Sequence, residues 1–186
     1  MCPIPSFNHN NVLPPHLGSP TAPNDLSPYN CTIMELCARF ATSVERVAIL
    51  KGFITFRLNM SQHGVVDGFQ WVDGSFVENI ELLEGRPPSD LDVVTFFGGL
   101  DMTVQGTIAT NFPEFFNPTH SKAKYLLDHY VVDCTFHPLN TVQSTRYWIQ
   151  LFTHNRHGVW KGILNVPINT PVEDADALTY LNGLTI

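Results

Sequence analysis

The stretch Gly68-Phe69-Gln70-Trp71-Val72-Asp73-Gly74-Ser75, followed after a turn-rich interval by Asp90-Leu91-Asp92-Val93-Val94-Thr95-Phe96-Phe97, decides how this chain reads. The first run is short and aromatic and stops at a glycine, which predicts a strand entering a tight turn at Gly74. The second is almost continuously hydrophobic after its acidic start, the pattern of a strand buried in the middle of a sheet. Between them, Ser75 to Leu83 predicts a short helix and Gly85-Arg86-Pro87-Pro88 a turn.

Upstream, Thr32-Ile33-Met34-Glu35 has the form of a capping box and opens a short helix to about Phe40. Ser43 caps a longer helix from Val44 to about Met60, with Val47, Leu50, Phe53, Ile54 and Leu58 as its apolar face. Residues 1–30 are rich in proline and asparagine and predict an extended arm, anchored by Leu13, Leu17 and Tyr29 and long enough to reach a second copy in a homo-oligomer. Downstream, residues 98–106 read as loop, 107–116 as a weak helix, and 119–129 as a clearer helix packing through Ala123, Leu126 and Leu127. A strand from Tyr130 to Phe136 follows. A helix over 141–153 carries Tyr147, Trp148, Leu151 and Phe152, and a last strand runs from Lys161 to Ile168. Residues 170–186 read as a short surface helix or tail. The order predicts one α/β domain over 31–169, a mixed sheet covered by helices.

A chain of 186 residues is long enough for one substantial core and short for two. Its net charge of -7 supplies no general attraction to a phosphate backbone, so nonspecific coating of DNA is not expected. The cysteines at 2, 31, 37 and 134 form neither a CxxC pair nor a dense framework, which predicts reduced thiols in a cytoplasmic protein. The first twenty residues, Pro3 and Pro5 among them, lack the basic start and apolar run of an export signal. No later segment approaches the length of a membrane span.

Asp90 and Asp92 are two apart on a predicted strand, so both carboxylates point to one face, where one metal ion can bridge them. A solvated strand start accounts for the pair equally well. Gly74-Ser75 adds a turn able to offer backbone N–H groups and a hydroxyl to phosphate oxygens, against the simpler account of strain relief and helix capping. Asp133 lies inside the apolar run Val131-Val132-Asp133-Cys134, where a carboxylate needs a partner, a cation or an exit to water. On a neighbouring strand it can complete a divalent-metal cluster and serve as general base; an edge aspartate facing water is the alternative. Lys161, after a flexible turn, is the leading phosphate-binding side chain, with Arg86, Arg156 and His157 behind it. The eight histidines lack zinc spacing, so His120, His129, His137 and His154 read as surface or packing residues.

Gly74-Ser75, Asp90-x-Asp92 and a later-strand Asp133 together resemble the active-site framework of the polymerase-beta-type nucleotidyltransferase superfamily over residues 69 to 136. More of the chain is similar to an uncharacterised bacterial and bacteriophage family of small nucleotidyltransferase-like proteins. That likeness rests on Leu13-Pro14-Pro15, Trp71-Val72-Asp73-Gly74-Ser75-Phe76, Pro88-Ser89-Asp90-Leu91-Asp92-Val93 and Gly158-Val159-Trp160-Lys161-Gly162-Ile163. The resemblance implies that Gly74 and Ser75 bind the triphosphate of an NTP, that Asp90 and Asp92 bind Mg2+ or Mn2+, and that Asp133 helps activate an acceptor hydroxyl. The expected activity is transfer of a nucleoside monophosphate to a protein, RNA or small-molecule acceptor. Phe76-Val77-Glu78-Asn79 departs from the family pattern, since a glutamate beside the turn repels triphosphate. It keeps two other readings open, an inactive nucleotide-binding regulator or inhibitor and a protein-interaction module.

Overall fold

The computed structural model describes residues 4–185, so Cys2 and Pro3, named above, and Ile186 lie outside the described residues. The elements are β1 (Tyr29–Asn30), α1 (Ile33–Phe40), α2 (Val44–Gln62), β2 (Gly68–Asp73), α3 (Ile80–Glu84), β3 (Leu91–Phe97) and α4 (Met102–Asn111), then α5 (Pro118–Tyr125), β4 (Leu127–Asp133), α6 (Pro138–Phe152), β5 (Leu164–Pro167) and α7 (Pro171–Gly183). The strands form one mixed sheet in the order β1-β5-β2-β3-β4. The two outer pairs, β1 with β5 and β3 with β4, are parallel, while β2 runs antiparallel to both of its neighbours.

Alternation along the strands divides the side chains between two unlike faces. On one face Val72, Leu91, Val93, Leu127 and Leu164 join the main core with residues of α1, α2 and α7. On the other, Trp71, Val94, Phe96 and Val132 pack against Trp148 and Phe152 of α6. Helix α6 covers the aromatic middle of this second face and leaves the strand ends that carry Asp73, Asp92 and Asp128 beside a cleft.

Local chemistry explains most boundaries. Thr32 and Glu35 form the reciprocal capping box, with Thr32 N–H donating to Glu35 at 2.8 Å and Glu35 N–H to Thr32 at 3.2 Å. Ser43 caps α2 as expected. That helix buries more than the predicted stripe: Ile49, Phe56, Met60 and even Arg46 and Arg57 are sealed, because α2 is covered by α7 and α5 as well as by the sheet.

Several expected boundaries move. Asp101 accepts the N–H groups of Thr103 and Val104 at 2.8 and 2.9 Å, so the weak helix starts at Met102 rather than Thr107. Only a single 3-10 turn, Ser75–Val77, follows Gly74 before α3. The helix expected to reach His129 stops at Tyr125, where Leu126 takes a left-handed conformation with φ of 60°. β4 therefore begins at Leu127, three residues early, and that shift changes which acid reaches the site.

Both ends of the described chain join the body. Val12 and Leu13 are fully buried, Gly162 N–H donates to Leu13 O at 2.8 Å, and Tyr29 Oη donates to Pro14 O at 2.7 Å. A Cβ on Gly162 would meet Pro14 O at 2.4 Å, so glycine lets the two backbones touch. The Leu17 side chain, expected as an anchor, is 60% exposed, while its backbone N–H donates to Asp25 O at 2.9 Å. The segment read as a surface helix or tail is the thirteen-residue α7, fixed to α2 by the buried pair Arg57 Nε–Asp174 Oδ1 at 2.9 Å. Among the described residues no helix is long and apolar enough to cross a membrane.

Candidate functional site

Sheet register builds the site. Asp73 lies opposite Asp92 across the antiparallel β2–β3 pair, and Asp92 opposite Asp128 across the parallel β3–β4 pair. Paired residues share a face, so three carboxylates form a row across three strands, with Asp90 two residues before Asp92 on the same side. The row borders a cleft of about 580 Å³ whose other walls include Gly74, Ser75, Lys122, His154, Arg156 and Lys161.

Gly74 is pressed directly against the centre of this row. Its φ of 84° and ψ of -170° fall where only glycine is comfortable, and a Cβ there would lie 1.9 Å from Asp92 Oδ2. The segment after the turn is propped from behind by the sealed Arg46 guanidinium. It donates to Phe76 O at 2.7 Å and Glu78 O at 2.8 Å while Nε holds Glu81 at 2.6 Å.

Lysines neutralise part of the negative charge. Lys161 Nζ lies 2.7 Å from Glu78 Oε1, 3.0 Å from Gly74 O and 3.1 Å from Asp73 Oδ1. Burial works against the charge on Lys161, but Asp73 and Glu78 outweigh it and raise its pKa. Lys122, on α5, pairs with Asp90 Oδ2 at 2.5 Å. Among the described residues Asp92 has no such close cation: burial first, then the Asp90 and Asp128 carboxylates, push its carboxyl up to about 6. Burial likewise carries Asp73 above the usual carboxylate range, against the pull of Lys161.

The residues named from sequence separate into two groups. Gly74, Ser75, Asp90, Asp92 and Lys161 border one cleft. Asp133 does not join them. It pairs in register with Phe97 at the far end of β4 and, five residues from Asp128, points to the opposite face. Its Oδ1 accepts from Thr135 N–H and hydroxyl at 2.9 and 2.7 Å and from Phe136 N–H at 3.1 Å, and its Oδ2 from Gln105 at 2.9 Å. Asp133 thus organises a turn. Burial opposes its charge, but these hydrogen bonds hold its pKa below the ordinary value.

Lys161 reaches the cleft wall, yet its ammonium is engaged by Asp73, Glu78 and Gly74. The same pairing weakens the objection raised by Glu78, whose carboxylate borders the cleft beside the turn but is buried and balanced by Lys161. Arg156 and His157, on an ordered turn held by Asn155 Oδ1, stand at the cleft mouth beside His154. Sequence reasoning missed Asp73, Asp128 and Lys122. Asp128 had one signal, an acid just before the alternating run His129-Tyr130-Val131-Val132, like Asp90 and Asp92 before theirs.

Four carboxylates on one face are a donor set suited to a hard divalent cation, and the desolvated Asp92 favours a cation beside it. Among the described residues, however, no group of three or more His, Cys, Asp or Glu side chains is placed to hold a metal ion. Lys122 on Asp90 and Lys161 on Asp73 are the cations that the row has now.

Residues 5–167 match a family of unknown function, DUF6932, and the chain belongs to that family. Neither the curated proteins nor the solved structures give a match.

Proposed function

We propose that this protein is a metal-dependent nucleotidyltransferase of the polymerase-beta type, moving a nucleoside monophosphate from an NTP to a hydroxyl-bearing acceptor. The observation that carries the reading is the register Asp73–Asp92–Asp128 with the Gly74-Ser75 turn packed on its central member. Asp90, Asp92 and Asp128 would hold Mg2+ or Mn2+, with Lys122 giving up Asp90. The bound cation would supply neutralisation of phosphate charge. Asp128 replaces Asp133 as the third acid.

The protein's own groups divide the remaining work. Gly74 and Ser75 receive the triphosphate, with Arg156 and His157 at the cleft mouth to neutralise its outer oxygens. Lys161 is a positioning residue: by holding Asp73, Glu78 and Gly74 O together it fixes the turn against Asp92. Asp128 accepts the acceptor's hydroxyl proton as that oxygen bonds to the α-phosphorus. The bond from this phosphorus to the bridging oxygen breaks, and pyrophosphate leaves with the electron pair.

The test is incubation of the full chain with each α-labelled NTP, Mg2+ or Mn2+, and a fractionated extract as acceptor source. Label transfer should occur with wild type and Asp133→Asn and disappear with Asp92→Asn and Asp128→Asn. Absence of transfer from every NTP, with folded wild type, would remove the catalytic reading. Magnesium-dependent nucleotide binding without transfer would leave the regulator in its place.

A further inference from the structure

The cleft continues past the acidic row. On the β4 side it opens into a recess of about 200 Å³ between the sheet and α6, lined by Asp92, Asp128, Tyr130, Tyr147, Trp148 and Phe152 among others. Trp148 and Phe152 are buried in its wall, while Tyr130 and Tyr147 are open to solvent. The indole of Trp148 is fixed by three rings, with centroids 5.0 Å from Tyr130, 4.9 Å from Tyr147 and 5.2 Å from Phe152. Tyr130 follows Asp128 by two residues and shares its face of the sheet.

Strand order sets this recess and the Gly74-Ser75 turn on opposite sides of Asp92. The turn ends β2 and the recess borders β4, with β3 between them, a separation of roughly 10 Å from two strand spacings. In phosphoryl transfer the entering and leaving oxygens are in line on opposite sides of phosphorus. If pyrophosphate leaves at the turn, the attacking hydroxyl comes from the recess.

Resting on the nucleotidyltransferase reading, we propose that the recess is the acceptor subsite and that it takes a single ring bearing a hydroxyl group and a positive charge. Its volume suits one ring, since a cavity of roughly 150 Å³ accommodates benzene. Tyrosine and tryptophan faces next to carboxylates attract cations. The net charge of -7 gives no general attraction to a nucleic-acid backbone and so disfavours an RNA end. The ring stacks among Tyr130, Tyr147 and Trp148, and its hydroxyl oxygen faces Asp128, which takes the proton as the new oxygen–phosphorus bond forms and pyrophosphate leaves.

The experiment measures binding of tyramine, tyrosol and para-hydroxyphenylpropanoate to the full chain by NMR, with Mg2+ and a non-hydrolysable NTP present. The three probes share a phenol ring and are cationic, neutral and anionic. Tyramine should bind best and the propanoate worst, and Tyr147→Ala should weaken tyramine by about tenfold. Tyr147 is 56% exposed, so truncating it spares the core, and the thermal shift given by Mg2+ and nucleotide should persist. The proposal is overturned if no probe binds, if the propanoate matches tyramine, or if Tyr147→Ala weakens the nucleotide while leaving tyramine unchanged, which would assign the recess to the nucleobase. Failure of the underlying reading looks different: tyramine binds through Tyr147, but Mg2+ and nucleotide give no response that depends on Asp92, and the acceptor role falls with it.

Discussion

Lys161 Nζ donates to Glu78 Oε1 at 2.7 Å, and both side chains are sealed from solvent. With Asp73 Oδ1 at 3.1 Å the lysine balances two buried carboxylates, so its removal strands both. Breaking a buried ion pair by deleting one partner costs about 3–5 kcal/mol. Lys161→Met should lose about that much in urea unfolding, and Glu78→Gln clearly less, because the amide keeps a hydrogen-bonding oxygen. A Lys161→Met protein as stable as wild type would show that the ammonium is not structural and would return Lys161 to the list of phosphate ligands.

Gly74→Ala should do two separable things. The backbone conformation alone costs about 1–3 kcal/mol in a residue with a Cβ. The added methyl also meets Asp92 Oδ2, so any binding that depends on the acidic row should be lost as well. Gly85→Ala is the comparison, with φ of 66° but open space around the site of a Cβ. It should lower the melting temperature and keep the Mg2+ and nucleotide response; equal loss of response in both variants would mean that Gly74 matters only for its backbone.

Asp128 and Asp133 should behave in opposite ways. Ligand at a hundred times its Kd stabilises the native state by about 2.7 kcal/mol. With Mg2+ and NTP, wild type and Asp133→Asn should show an upward melting shift, and Asp128→Asn little or none. Asp133→Ala should lower stability by about 1 kcal/mol through the lost turn hydrogen bonds. A shift abolished by Asp133→Asn and kept by Asp128→Asn would restore the order expected from sequence.

The acid side of the stability profile has opposed contributors, His129 on one side and the raised carboxyls of Asp73 and Asp92 on the other. Burial holds His129 down to about 3, while the unfolded chain titrates it near 6.5. As pH falls between these values the unfolded state gains the proton, and stability drops by up to about 1.4 kcal/mol per pH unit. Asp92 runs the other way: raised to about 6 in the fold, its contribution is fully present below the unfolded value near 3.9 and lost as pH rises through 6. Urea midpoints measured from about pH 7 to pH 4 should therefore fall less steeply for His129→Gln than for wild type, and more steeply for Asp92→Asn. Parallel curves for His129→Gln and wild type would mean that the imidazole is not held neutral.

Much of the sheet was legible from sequence because its signals are local. Gly68 to Gly74 and Asp90 to Phe97 alternate or run apolar between clear breakers, and Thr32 and Ser43 announce the helices that they cap. The third acid was not legible. Lys124-Tyr125-Leu126-Leu127 carries no glycine or proline to end a helix, yet Leu126 turns left-handed, and its carbonyl accepts Leu91 N–H at 3.1 Å, a partner that no local signal names. The local pattern therefore carries the helix past Asp128 and leaves Asp133 as the acid on the strand. Arg57 and Asp174 were invisible for another reason. Their burial depends on meeting across more than a hundred residues, with Arg57 also donating to Gln70 Oε1 at 2.7 Å and Thr170 Oγ1 at 2.7 Å.

The docking of the N-terminal segment fixes the order in which the molecule can be assembled. Tyr29 and Asn30 pair with Leu164 and Asn165, and Leu13 O waits for Gly162 N–H, so the first strand made finds its partner only when most of the chain has left the ribosome. Non-local closure of this kind gives high contact order and slow folding. Lys161 emerges in the same late segment, so until it arrives Asp73 and Glu78 have no counter-ion and nothing holds Gly74 O beside them. A nascent chain can thus pair Asp73, Asp92 and Asp128 across β2, β3 and β4 before it has the lysine that balances Asp73 and Glu78, and the turn beside Asp92 is fixed only with the closing strand.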